Sequence, residues 1–136
     1  MNFKEYFELF ISLAGTALTY FFGELDGLLQ ALIALTVLDY LTGVLAAALN
    51  KNLSSAIGFK GIARKITIFA VIGLAHVVDR ELLGGTVLWR DAVTFFYLAN
   101  EGLSIVENAV EIGIPIPDIV KDKLLSFHEG KHEKLK

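Results

Sequence analysis

The sequence predicts an all-α membrane protein: a small multi-span bundle of four helices, the third short and the fourth amphipathic, followed by a charged tail. Three observations predict it. Apolar residues make up 54% of the 136-residue chain before its 12 glycines are counted, above the roughly 45–50% of soluble domains, a range that includes glycine. Only 20% of residues are charged, and mean hydropathy is +0.59. The apolar residues also gather in runs between short polar connections. One domain is expected at this length, with residues 1–117 spanning the membrane and 118–136 forming a cytoplasmic tail.

The first run, Leu9 to Phe22, follows Phe3, Tyr6 and Phe7. Lys4 and this apolar core would also suit a signal peptide. Tyr20-Phe21-Phe22 is a poor cleavage context, however, so an uncleaved anchor is expected. Glu24 and Asp26 between Gly23 and Gly27 read as a tight turn. Leu28 to Leu49 is a run of 22 residues with Asp39 as its one ionisable group, which fits the roughly 20 residues a spanning helix needs. Ile66 to Val78 has only 13. It gains reach if Ile62 and Ala63 join it while Arg64 and Lys65 snorkel toward headgroups. The fourth segment, Thr86 to Ile112, is amphipathic, and Pro115 and Pro117 stop it. The tail, Asp118 to Lys136, is charged and reads as a short interfacial helix with a frayed end.

Lysine and arginine in short loops set orientation. The connection from Asn50 to Lys65 holds Lys51, Lys60, Arg64 and Lys65 with no acid, and the tail holds Lys121, Lys123, Lys131, Lys134 and Lys136. The other two connections carry Glu24 and Asp26, and Asp79, Arg80 and Glu81. Four spans put both basic segments and both termini in the cytoplasm. A net charge of -3 gives no reason to expect a nucleic-acid partner, which normally meets a basic face. The chain has no cysteine, which excludes thiol catalysis, disulfides and cysteine metal sites. No hydrolase, zincin or phosphate-loop motif is present, so no enzyme, cofactor or metal is expected. His76 and Asp79 lack a third ligand, and His128 and His132 in the tail are read as solvated.

The residues that demand an explanation are polar groups inside apolar segments. At about 100° per residue, Arg90, Thr94, Tyr97, Glu101, Ser104, Glu107, Asn108 and Glu111 share one side of the fourth helix, with Asn100 beside them. Phe95, Ala99, Leu103, Val106 and Val110 take the other side. A charge facing hydrocarbon costs about 2.5–3.5 kcal/mol even on lenient scales. The stripe must therefore meet other helices, another subunit or water, and its acids need outside partners. Lining a lumen, packing inside a bundle and lying on a membrane surface all satisfy that requirement. On the second helix Asp39 shares a face with Thr36, Gly43, Ala46 and Asn50. It is a functional candidate as an intramembrane acid, and a hydrogen bond to a neighbouring helix would equally account for it. Gly43 and Ala47 have the small-xxx-small spacing of closely packed membrane helices.

Two long blocks, DYLTGVLAAALNKNLSSAIGFKGIARK (Asp39 to Lys65) and FFYLANEGLSIVENAVEIGIPIPD (Phe95 to Asp118), resemble the bacteriophage holin family that includes clostridial toxin-release holins. The resemblance runs from about Leu28 to Leu125. It carries over Asp39, Tyr40, Gly43, Asn100, Glu101, Glu107, Asn108, Pro115 and Pro117 as motif positions, and places Gly58, Phe59 and Gly61 in a motif loop. It implies a cytoplasmic-membrane protein that self-associates into homo-oligomers and opens timed lesions, releasing an endolysin or a large toxin, without catalysis or cofactor. A small channel or transporter component with no lytic role, and a soluble helical partner protein, are the rival readings. Met1 is the one methionine, so a shorter inhibitory product from an internal Met start is not expected.

Overall fold

The computed structural model describes residues 1–120, 122, 123 and 126. Helices α1 (Phe3–Phe22), α2 (Gly27–Leu49), α3 (Ser55–Leu82) and α4 (Leu88–Ile112) follow one another through short connections. No strand occurs among the described residues. Local chemistry marks the helix ends. The Asn2 carboxamide accepts from the Glu5 amide while the Glu5 carboxylate accepts from the Asn2 amide, a reciprocal cap of two otherwise orphaned donors. Asp26 caps α2 through the Leu29 amide and Ser54 caps α3 through the Ile57 amide. Gly113 ends α4 in the left-handed region at φ 94°, which a side chain rarely adopts.

Two expectations need correction. Helix α3 is not short: at 28 residues it is longer than α1, α2 or α4. Gly58, Phe59 and Gly61 form no loop, because the Ser54 cap starts the helix ahead of them and they continue its first two turns. From Asp118, where a short tail helix is expected, the chain becomes helical again, so a fifth helical segment follows the four. Lys121, Lys131, Lys134, Lys136, His128 and His132 lie outside the described residues.

The bundle is built on three inward stripes with alternating spacings of three and four, the spacing that keeps side chains on one seam of packed helices. On α2 the stripe is Leu29, Leu32, Thr36, Asp39, Gly43 and Ala46. On α3 it is Lys65, Ile68, Ile72, Ala75 and Asp79, and on α4 Arg90, Thr94, Tyr97, Glu101, Ser104 and Asn108. These positions hold every buried residue of the three helices except Gly73. Leu29, Leu32, Ile68 and Ile72 form the apolar core, with Phe22, Phe69, Val93, Tyr97 and Leu98 against it. Helix α4 packs most extensively on α2 and next on α3, while α2 and α3 touch each other little.

The outside of the bundle is apolar. Ile33, Val37, Leu38, Leu41 and Leu45 on α2 and Ile62, Ile66 and Leu74 on α3 are exposed. Helices α2 and α3 are long and apolar enough to cross a membrane, and most of each is unburied, unlike the core helix of a soluble protein. Helix α1 buries no residue. It meets α3 through its last turn: Phe21 fits against Gly73, Phe22 stacks edge-on with Phe69, and Tyr20 lies under Arg80.

Candidate inter-helix polar site

The polar groups of the three stripes meet in two places. The first lies midway along the helices. Asp39 is 12 residues into α2, about 18 Å at 1.5 Å per residue, and Glu101 is 13 residues into α4. Between them comes the Lys65 ammonium of α3, hydrogen-bonded to Asp39 Oδ2 and, at 2.5 Å, to Glu101 Oε2. Asn108 completes the group. Its amide nitrogen donates to Asp39 Oδ1 at 2.9 Å, to the Asp39 carbonyl at 3.1 Å and to Thr42 Oγ1 at 2.9 Å. The Lys65 side chain is 14% exposed, Asp39 11% and Glu101 4%. Gly43 lies against this group: a Cβ there would sit 3.5 Å from the Asn108 amide nitrogen, an ordinary contact. Ala46 is the buried small residue one turn on, while Ala47 is half-buried.

The second cluster ties together the ends of all four helices. Arg90, 2% exposed, donates from Nη1 to Asp26 Oδ2 at 2.8 Å and to Asp91 Oδ1 at 3.1 Å. Its Nε and Nη2 donate to the carbonyls of Phe22 and Glu24 at 2.8 and 2.7 Å. Asp26 in turn has its carboxyl held below the usual carboxylate range, chiefly by the Arg90 hydrogen bond and then by the Leu29 amide. Helix α4 begins at Leu88, and Val87 before it supplies no side-chain cap. Asp79 of α3 supplies one, accepting from the Trp89 amide at 3.1 Å, the Arg90 amide at 2.8 Å and the Thr86 hydroxyl at 3.0 Å. A carboxylate at this position also meets the positive end of the helix dipole.

The stripe read from the sequence is thus distributed over both clusters. Arg90, Thr94 and Glu101 are buried; Tyr97, Asn100, Ser104, Glu107 and Asn108 are half-buried; Glu111 is exposed. Of the partners expected for the stripe, Glu101 finds one on another helix of the same chain, the Lys65 ammonium of α3, and Arg90 reaches Asp26 and the carbonyls of Phe22 and Glu24 besides its neighbour Asp91. Lys65 does not snorkel; it turns inward while Arg64 stays exposed. Sequence reasoning missed Lys65, Asp26 and Asp79 as members of the site. The signal for two of them was the stripe Lys65, Ile68, Ile72, Ala75, Asp79, which carries a charge at each end. Among the described residues no group of acids and histidines could hold a metal ion.

Buried charge of both signs, inside helices coated with apolar side chains, is the arrangement of a membrane bundle rather than a soluble domain. The bacteriophage holin family model matches residues 16–129. The chain belongs to the bacteriophage holin family. A probable holin of Bacillus phage phi105 is 38% identical over 119 residues, covering 87% of this chain and 86% of its own. An uncharacterised Listeria innocua protein is 44% identical over 126 residues, 88% and 89% of the two chains. An uncharacterised 14.9 kDa Clostridium perfringens protein is 39% identical over 130 residues, 96% and 98%. No solved structure matches the chain. As a holin-family member it is a membrane protein with a holin role, and the family is not one of enzymes. Both sequence blocks that carried the resemblance contribute to the mid-helix cluster: Asp39 and Lys65 come from the first, Glu101 and Asn108 from the second.

Proposed function

We propose that this holin-family protein accumulates in the bacterial cytoplasmic membrane, assembles with copies of itself, and opens timed lesions that release an endolysin or a large toxin. The observation that carries the reading is the charged cluster Asp39–Lys65–Glu101, closed within one chain, at mid-depth of apolar helices. While the one cation, Lys65, holds both acids, a single copy can stay in the bilayer without opening water to it. Separating α4 from α2 and α3 would leave Lys65 paired with Asp39 but strand Glu101 without its cation in a dry surrounding, which costs about 3–5 kcal/mol for a broken pair. Water in a shared lumen removes that cost. Closed bundles and wet assemblies are then both tolerable, and half-open copies are not, which favours an abrupt transition.

In this reading Lys51, Lys60 and Arg64 place the α2–α3 connection in the cytoplasm, together with the tail from residue 118. The mid-helix residues Glu101, Ser104 and Asn108 face the lumen after assembly, joined by Tyr97, Asn100, Glu107 and Glu111. Inducing the protein beside a folded endolysin tests this. A delay, then loss of viability and release of the endolysin, is the expected outcome. Ion leakage with the endolysin retained would instead identify a small channel with no lytic role.

A further inference from the structure

Helix α1 is the least accounted-for part of the molecule. None of its residues is buried, whereas α4, which like α1 is not among the helices long and apolar enough to cross a membrane, is packed along α2 and α3 and buries Arg90, Thr94 and Glu101 against them. Its contacts to α3 come from its C-terminal end and reach the C-terminal half of α3: Phe22 to Phe69, Phe21 to Gly73, and Tyr20 to Arg80 and Glu81. A cavity runs along Ile11, Ser12, Gly15, Thr16 and Thr19, and the α3 residue lining it is Arg80. The middle of α1 therefore lies beside the C-terminal end of α3. A helix crossing the bilayer parallel to α3 would instead bring its middle to the early turns around Lys65.

That end of α3 is a polar layer, where Asp26, Asp79, Thr86 and Arg90 gather and where the α1–α2 and α3–α4 connections emerge. If α2, α3 and α4 span, this layer lies at a bilayer surface. Helix α1 is itself divided in the way such a surface asks for. At about 100° per residue, Lys4, Glu5, Glu8, Ser12, Thr16 and Thr19 fall within a third of the circumference. Phe7, Phe10, Leu13, Ala17 and Phe21 occupy the opposite side, and Phe10 is 66% and Leu13 62% exposed. Wide apolar faces opposite polar ones bind in the headgroup region of a bilayer.

We infer that α1 is a surface helix rather than a fourth span: its apolar side rests in the lipid interface beside the α3–α4 connection. This rests on the membrane-spanning reading of α2 to α4. The N-terminus is then on the side opposite the basic α2–α3 connection. The charge rule leaves this open, because Lys51, Lys60, Arg64 and the tail fall on one side whether or not α1 crosses. The occupant of the apolar side is lipid, because Phe21 on that side lines one apolar groove with the exposed Val37 and Leu41 of α2 and Ile62 and Ile66 of α3, and the polar stripe opposite is nearly neutral.

The absence of native cysteine makes the test direct. Single variants Lys4→Cys, Ser12→Cys and Leu13→Cys of the full chain are expressed and treated, in spheroplasts, with a membrane-impermeant thiol reagent. Leu83→Cys and Asn52→Cys report the two connections. Lys4→Cys and Ser12→Cys are expected to label as fully as Leu83→Cys, with Leu13→Cys unreactive and Asn52→Cys labelled only after lysis. Lys4→Cys protected until lysis, with Ser12→Cys unreactive, would mean that α1 spans and overturn the inference. Equal labelling of Leu13→Cys and Ser12→Cys would place α1 in water and overturn it too. Loss of the contrast between Leu83→Cys and Asn52→Cys has a different signature: it removes the spanning bundle itself, and the surface helix with it.

Discussion

At the scale of single residues, one cation decides the state of two acids. Replacing Lys65 with methionine keeps the bulk of the stem and leaves Asp39 and Glu101 facing each other without a counter-charge. The expected loss is about 3–5 kcal/mol, the usual cost of orphaning a buried ionic partner, read as a lower unfolding midpoint in detergent micelles. Adding Asp39→Asn and Glu101→Gln to Lys65→Met should recover most of it, since removing all the charges leaves none uncompensated. Asp26 carries a pH signature of its own. Its carboxyl titrates below the ordinary value in the folded chain because Arg90 bonds it, so its contribution is complete above the ordinary aspartate value, about 3.9. The contribution is lost as pH falls through the lowered folded value. An acid titration of unfolding should therefore be shallower below about pH 4 in Asp26→Asn than in the parent. Asp26 is 41% exposed, so solvent screens the effect.

At the scale of elements, α3 is the instructive case. Its apolar run alone reads as short, because Gly58, Gly61, Arg64 and Lys65 look like the end of a connection. The helix nevertheless starts at Ser55, where Ser54 supplies a cap. It continues through the charged turn because Lys65 has acids waiting on two other helices. That compensation is tertiary and leaves no trace in local hydropathy. The α1–α3 junction makes a prediction of the same kind. A Cβ at Gly73 would overlap the Phe21 ring, so Gly73→Ala must displace that ring, and such overpacking costs about 1–3 kcal/mol. The damage should be confined to α1. A Tyr20→Cys, Glu81→Cys crosslink should form poorly in the Gly73→Ala background, while crosslinks between α2 and α4 stay unchanged.

At the scale of the whole molecule, an apolar exterior encloses a charged interior, and the proposed lumen would wet that interior. Glu101→Leu tests this. It leaves Lys65 neutralised by Asp39 and makes the seam drier, and apolar replacement of buried charge is often neutral or stabilising. Lysis should come later than in the parent, with membrane insertion unchanged as judged by alkaline carbonate extraction. Lysis at the parental time would detach the cluster from triggering.

Much of this was legible along the chain. The helical class, the apolar character of α2, the one-sided polar stripe of α4 and the resemblance to holins all follow from composition, period and motif, which are properties of neighbouring residues. What needed three dimensions was pairing: that Lys65 answers both Asp39 and Glu101, that Arg90 clasps the α1–α2 turn, that Asp79 caps a helix other than its own, and that the last turn of α1 docks on α3. A charge's cost depends on what stands a few ångströms away, and those neighbours come from segments tens of residues apart.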